Sequence, residues 1–360
     1  MRISVVITNF NYGDCVGTAI DSALAIEWPD KEVIVVDDGS TDHSPAVIGG
    51  YGNRIKAVLK TNGGQNSAAN VGFSKSTGEI VFFLDSDDTL VPDVARRVVP
   101  MFAWTTAKVQ FPLVTLRPDG SSAGLYPRFP AVYSPSEVEK SIAATGFYIS
   151  SPTSGNAWAR WALQKAFPLP TRWTETVSAN FFDGYLSTVA SRLGCVVTVN
   201  EPLGTYYINP NNMWTKRFSP ALITEACEED LARSEYVNVK LKSLGIRAIE
   251  KSAFTQWMKR LVCRKYFRDG PVKEGWPILL SSSLHSAFAD PGLRIRTRIL
   301  VMGWMIAVVV LPRRLALTII KLRFVPSYRP RAMNWLLNRG HRPLRDTGCR
   351  MSLSGDVRAP

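Results

Sequence analysis

Residues 80–88 read Ile80-Val81-Phe82-Phe83-Leu84-Asp85-Ser86-Asp87-Asp88, five apolar residues followed at once by three carboxylates in four positions. A short apolar run without alternation reads as a strand buried on both faces, and the abrupt change marks its end. Two earlier stretches repeat the pattern. Val5-Val6-Ile7 runs into Thr8-Asn9-Phe10-Asn11, and Val33-Ile34-Val35-Val36 runs into Asp37-Asp38-Gly39-Ser40. Helical spacing at Val16, Ile20, Ala23 and Leu24 lies between them; a strand is expected at Ile55–Leu59 and a helix at Ser67–Lys75. Buried strands alternating with helices predict an α/β chain, a mostly parallel sheet with helices on both faces. Such sheets bind ligands beyond the carboxyl ends of their strands, where these polar and acidic residues converge.

Carboxylates at that edge suit a divalent cation held against a diphosphate. Alternate residues of an extended segment point the same way, so Asp85 and Asp87 form one pair of oxygen ligands. Mg2+ and Mn2+ commonly take one or two protein carboxylates and complete their shell with phosphate and water. Asp37-Asp38-Gly39-Ser40 also fits an ordinary turn.

The 360 residues carry a net charge of +13, unevenly spread. Residues 1–230 hold 18 Lys and Arg against 23 Asp and Glu, whereas residues 231–360 hold 25 against 7. With 46% hydrophobic residues the composition excludes a disordered chain, a collagen-like repeat and a polytopic membrane protein. The five cysteines form no Cys-x-x-Cys pair, which argues against a disulfide framework and for a reducing compartment. The opening apolar run is too short for a signal peptide, so a cytoplasmic location is expected.

Taken together, the motifs resemble family 2 glycosyltransferases in order, spacing and strand context over about the first 100 residues. The matching stretches are Val5–Asn11, Val35–Asp42, Asn62–Gly72 (Asn-Gly-Gly-Gln-Asn-Ser-Ala-Ala-Asn-Val-Gly) and Gly78–Asp88. The resemblance implies a GT-A fold and inverting transfer of a sugar from a nucleotide-diphosphate donor, with UDP as the default nucleotide. It implies that Thr8 and Phe10 line the base and ribose pocket, that Asp38 with Asp37 hydrogen-bonds base or ribose, and that Asp85 faces the ribose. Asp87 would ligate Mn2+ or Mg2+. Many members carry Arg just before Asn70, where this chain has Ala69; Gln65 and Asn66 are the candidates for substitute donor contacts.

Inverting transfer also needs a base for the acceptor hydroxyl. Asp183, Leu186 and Ala190 fall on one face of a helix expected over Asn180–Leu193. By resemblance Asp183 is that base, since a strand and Asn200-Glu201-Pro202-Leu203-Gly204-Thr205-Tyr206 follow as they do in the family. Relatives then place a His where this chain has Asn209, a weaker candidate metal ligand. Trp158 and Trp173 are candidates for stacking on a sugar or for core packing. Two other readings stay open: a catalytically weak, membrane-bound glycan-binding or scaffold protein, and a nucleotidyltransferase using the same edge and metal.

The expected units are a catalytic domain over 1–215, a helical extension over 216–292 with helices at Leu222–Leu244 and Ile246–Phe267, membrane-associated helices over 293–325, and a basic tail over 326–360. Ile299–Leu311 is an uncharged run of 13 residues, about 20 Å as a helix and short of the roughly 30 Å hydrocarbon core. With Arg294, Arg296, Arg298, Arg313 and Arg314 beside it, the run predicts an interfacial or re-entrant element against an anionic membrane, and not a nucleic-acid surface. The acceptor is accordingly expected to be a glycan or a lipid-linked molecule.

Overall fold

The computed structural model describes residues 1–129, 133–145, 148–172, 182–208, 220–249, 254–267, 269–290 and 295–324. The first part alternates strictly: β1 (Ile3–Asn9), α1 (Gly13–Leu24), β2 (Lys31–Asp37), α2 (Ser44–Gly49), β3 (Lys56–Leu59), α3 (Gln65–Lys75) and β4 (Ile80–Asp85). A less regular part follows, with β5 (Thr89–Leu90), α4 (Val94–Val98), β6 (Thr106–Gln110), β7 (Leu113–Leu116), β8 (Ser122–Tyr126), α5 (Pro135–Thr145), β9 (Asn156–Ala159), α6 (Arg160–Ala166), α7 (Phe182–Leu193), β10 (Cys195–Thr198) and β11 (Gly204–Tyr207). The rest is helical: α8 (Pro220–Ser243), α9 (Phe254–Tyr266), α10 (Trp276–Ala289), α11 (Ile295–Val310) and α12 (Arg313–Phe324).

Seven strands form one sheet in the order β10-β6-β9-β4-β1-β2-β3. Its pairings are parallel except at β9, which runs antiparallel to both β4 and β6. The apolar runs of β1, β2 and β4 are buried on both sides because alternate residues feed two cores. Val5, Ile7, Val35 and Phe82 pack with α1, while Val6, Ile34, Val36 and Phe83 pack with α3, α6 and α7. A second sheet, β5-β11-β7-β8, flanks the first and was not expected from the sequence.

Helix α3 lies against β1 at Gly72, where an added Cβ would sit 2.2 Å from Val6 Cγ1. Gly72→Ala is therefore expected to lower stability by about 1–3 kcal/mol through overpacking. Urea unfolding at constant slope would show it, and an unchanged midpoint would mean that the helix can ride outward freely.

Helices α8–α12 share a third core that includes Cys227, Leu261, Leu279, Met305 and Ile320. Described residues of 293–325 thus share one cluster with described residues of 216–292. The helix expected from Ile246 starts at Phe254 instead. Gly245 ends the preceding segment with φ +70°, and Ile246 and Ile249 turn back onto the sheet's core. Asn238 fixes that turn by accepting from Ile249 N at 2.8 Å and donating to Ile249 O at 3.1 Å.

Candidate active site

Strand register brings the motif ends together. Thr8 lies opposite Asp85 and Asn9 opposite Asp37. The loops beyond β1 and β2 are stitched side chain to backbone: Asn11 N donates to Ser40 Oγ at 2.8 Å, and Thr41 N donates to Asn11 Oδ1 at 2.7 Å. Asn11 accepts a left-handed backbone, φ 58°, to make this contact. The neighbouring Phe10 is left 45% exposed at the strand end, an aromatic face open to a planar ligand.

Asp37 and Asp38 are both buried, and their carboxylates are engaged within the protein. Asp37 accepts from Asn9 Nδ2 at 2.8 Å, Ser40 N at 2.9 Å and Ser40 Oγ at 2.6 Å. Asp38 pairs with Lys60 and accepts from Gly64 N at 2.7 Å and Gly63 N at 3.1 Å. Asp38 therefore holds the Gly63-Gly64 turn that launches α3, and Asp37 holds the loop beside Phe10. Of the two expected substitutes for the missing Arg, Gln65 donates through Nε2 to Asp85 Oδ1 at 3.2 Å. Asn66 is instead fully buried and donates to Pro170 O at 2.6 Å, which ties α3 to the segment after α6 and corrects its expected role as a donor contact. Ala69 is fully buried in the same helix.

Three carboxylates crowd the end of β4. Burial, then the charges of Asp87 and Asp183, pushes Asp85 up to about 7, and burial pushes Asp87 up to about 6. Asp88 is raised well above the ordinary range by burial and by the other two, although Ser154 Oγ at 2.6 Å and Tyr207 N at 3.1 Å donate to it. Asp88 is thus taken up in joining the second sheet to the first. Asp87 differs: it is half-buried, and among the described residues its carboxylate accepts no hydrogen bond outside its own backbone. Among the described residues no three His, Cys, Asp or Glu side chains form a metal cage. A repelling carboxylate pair with one free member fits a cation that takes its other ligands from phosphate and water. Asn209 and Trp173 lie outside the described residues.

Asp183 stands in the first turn of α7 and accepts from Gly184 N at 2.7 Å. Burial raises its proton affinity, opposed by the Gly184 amide, Arg233 of α8 and Lys108 of β6. Its charge reaches both Asp85 and Tyr126, while Tyr206 feels Asp85, Asp87 and Asp88. The Tyr126 and Tyr206 rings lie 6.0 Å apart and so link the two groups of carboxylates.

Sequence reasoning missed Lys108. It is fully buried, and its amine donates to Ser150 Oγ at 2.6 Å, Ser187 Oγ at 3.1 Å and Tyr148 Oη at 3.2 Å. Ser187 lies one turn after Asp183 on α7, so this amine braces the helix that carries the acid. Trp158 is 1% exposed beneath Lys108, 5.0 Å from ring to amine, and belongs to the core, not to a sugar platform.

The family model "Glycosyl transferase family 2" matches residues 4–143. An uncharacterised glycosyltransferase of Nostoc sp. is 36% identical over 291 residues, 77% of this chain and 87% of the relative. The chain belongs to glycosyl transferase family 2. It is a glycosyltransferase with a mixed α/β GT-A fold. The succinoglycan biosynthesis protein ExoO of Rhizobium meliloti is 38% identical over 99 residues, 27% of this chain and 28% of that protein. In fold, the enzyme is similar to S. aureus TarS solved with UDP-GlcNAc, with a TM-score of 0.52, 15% identity and coverage of 90% of this chain and 91% of that one.

Proposed function

We propose that this glycosyltransferase moves a sugar from a nucleotide-diphosphate donor, a UDP-sugar first of all, to a glycan or lipid-linked acceptor with inversion at the anomeric carbon. The observation that carries the reading is that the charge of Asp183, at the start of α7, acts on Asp85 at the end of β4, which also feels its neighbour Asp87. Asp183 accepts the acceptor hydroxyl's proton as that oxygen bonds to the anomeric carbon and the bond to the diphosphate breaks. Asp87, with Asp85 behind it, would hold Mn2+ or Mg2+. When bound, such a cation offsets the negative charge that develops on the leaving diphosphate. Phe10 and Thr8 are assigned to the base and ribose, with Asp37 and Asp38 shaping the loops around them, and Gln65 orients Asp85.

The enzyme is further proposed to work peripherally at an anionic membrane, on the cytoplasmic face. The support is its basic C-terminal third; no helix among the described residues is long and apolar enough to cross a bilayer.

A panel of nucleotide sugars, each with MnCl2 or EDTA, tests the enzymatic reading by thermal shift. A ligand at a hundredfold excess over its Kd adds about 2.7 kcal/mol, so one donor class should raise Tm by roughly 3–5 °C with Mn2+ and far less with EDTA. The same mixtures should release nucleoside diphosphate. Release of pyrophosphate would point to nucleotidyl transfer instead, and no shift and no release with any donor would overturn the proposal.

A further inference from the structure

From Ile299 onward helix α11 carries apolar residues around its whole circumference. Val301, Met305 and Val308 enter the helical core and are at most 2% exposed. On the other side Ile295, Ile299, Ile306 and Val310 follow at i, i+4, i+11 and i+15, an arc of about 60° at roughly 100° per residue. All four are open to solvent, from 42% to 72%, and Leu300 beside them is 68% exposed. A helix on the outside of a soluble protein ordinarily carries polar residues on that side.

The charge around this stripe has one sign. Residues 291–345 contain 12 Lys and Arg and no Asp or Glu. Among the described residues Arg296, Arg313, Arg314 and Lys321 are exposed, and Leu315 lies bare between them on α12. Arg298 reaches over the exposed Phe288 at the end of α10, 6.0 Å from its ring.

We propose that this face of α11 and α12 docks flat on an anionic lipid bilayer. Ile295, Ile299, Leu300, Ile306 and Val310 enter the boundary between headgroups and acyl chains, and the exposed Arg314 and Lys321 of α12 meet the headgroup phosphates. The inference rests on the membrane reading above and sharpens it. Because the opposite side of α11 is committed to the protein core, the helix cannot be surrounded by lipid, so it lies in the plane and does not re-enter. Charge also selects the occupant. A second copy on this face would oppose two surfaces of the same sign, which a protein contact disfavours and an anionic bilayer does not.

The test is co-sedimentation of the full chain with phosphatidylcholine vesicles containing about 30% phosphatidylglycerol, against pure phosphatidylcholine. Wild type should bind the anionic vesicles at least tenfold better and should lose most of that binding in about 0.5 M salt, where charge is screened. The double variant Ile299→Glu/Ile306→Glu should lose at least tenfold with its thermal midpoint unchanged. Leu300→Glu alone, a smaller change, should lose severalfold and guards against a folding defect in the double variant. Wild type left in the supernatant with anionic vesicles, or folded variants that bind like wild type, would overturn the proposal. So would a light-scattering dimer of wild type that the variants dissociate. Nucleotide-sugar thermal shifts on the same proteins report the catalytic reading separately, since none of the three substitutions lies at the strand edge.

Discussion

Asp183→Asn should bind the donor as wild type does and turn over about 10²–10⁴-fold more slowly, the range of a lost general base. The substitution is nearly isosteric, and an Asn oxygen still accepts from Gly184 N, so the first turn of α7 keeps that hydrogen bond. What disappears is the ability to take a proton. Because binding precedes that step, the loss belongs in kcat, with the donor KM little changed. Nucleoside diphosphate release under saturating donor measures the first, and the thermal shift with donor and Mn2+ measures the second. A folded Asp183→Asn enzyme with wild-type turnover would end the assignment of Asp183 as base.

Asp87→Ala should instead lose cation-dependent donor binding and on the order of a hundredfold or more in kcat/KM. Several kcal/mol of charge stabilisation go with the cation, at about 1.4 kcal/mol per tenfold. The pH dependence has a definite sign. Asp85, raised to about 7, and Asp87, raised to about 6, bind protons more tightly in the folded chain than their ordinary value of 3.8 allows. A carboxylate with a raised folded pKa costs stability when ionised, and the cost is relieved as pH falls through that pKa. In EDTA, Tm should therefore climb as pH drops from about 8 to about 6. Mn2+ should stabilise more at pH 8 than at pH 6, since proton and cation compete for the same oxygens. Asp87→Ala, which removes one of the charges acting on Asp85, should flatten both trends. A wild-type Tm in EDTA that is level or falls over that window would contradict this account of the cluster.

Much of this was legible in the residues, and for a physical reason. Strands buried on both faces leave unbroken apolar runs, so β1, β2 and β4 and their polar ends stand out without any structure. Asp183 by its own residues reads equally as an ordinary helix cap; it stood out only by resemblance, through the strand and the Asn200–Tyr206 segment that follow it. The second sheet was not legible, since β5 has two residues and β7, β8 and β11 four or five. Periodicity cannot speak over so short a length. Asp37 and Asp38 were visible as acids, but the donors that claim them come from residues 9, 40, 60, 63 and 64, which only the register assembles. Lys108 was invisible because one lysine in a five-residue strand reads as a solvent-facing position, and its hydroxyl partners lie 40 to 79 residues away.

Strand β9 has a consequence for how the molecule comes to exist. It fills the gap between β4 and β6, yet it is made some 70 residues after β4 ends. The first half, β1 to β4 with its helices, needs nothing beyond residue 85 to complete the pairings among its own strands. The half that carries Asp183 and β10 needs the chain as far as residue 198. At roughly 5–20 residues per second, the growing chain holds β4 with one unpaired edge for several seconds. That interval, more than the finished fold, is when this enzyme is open to pairing with the wrong strand.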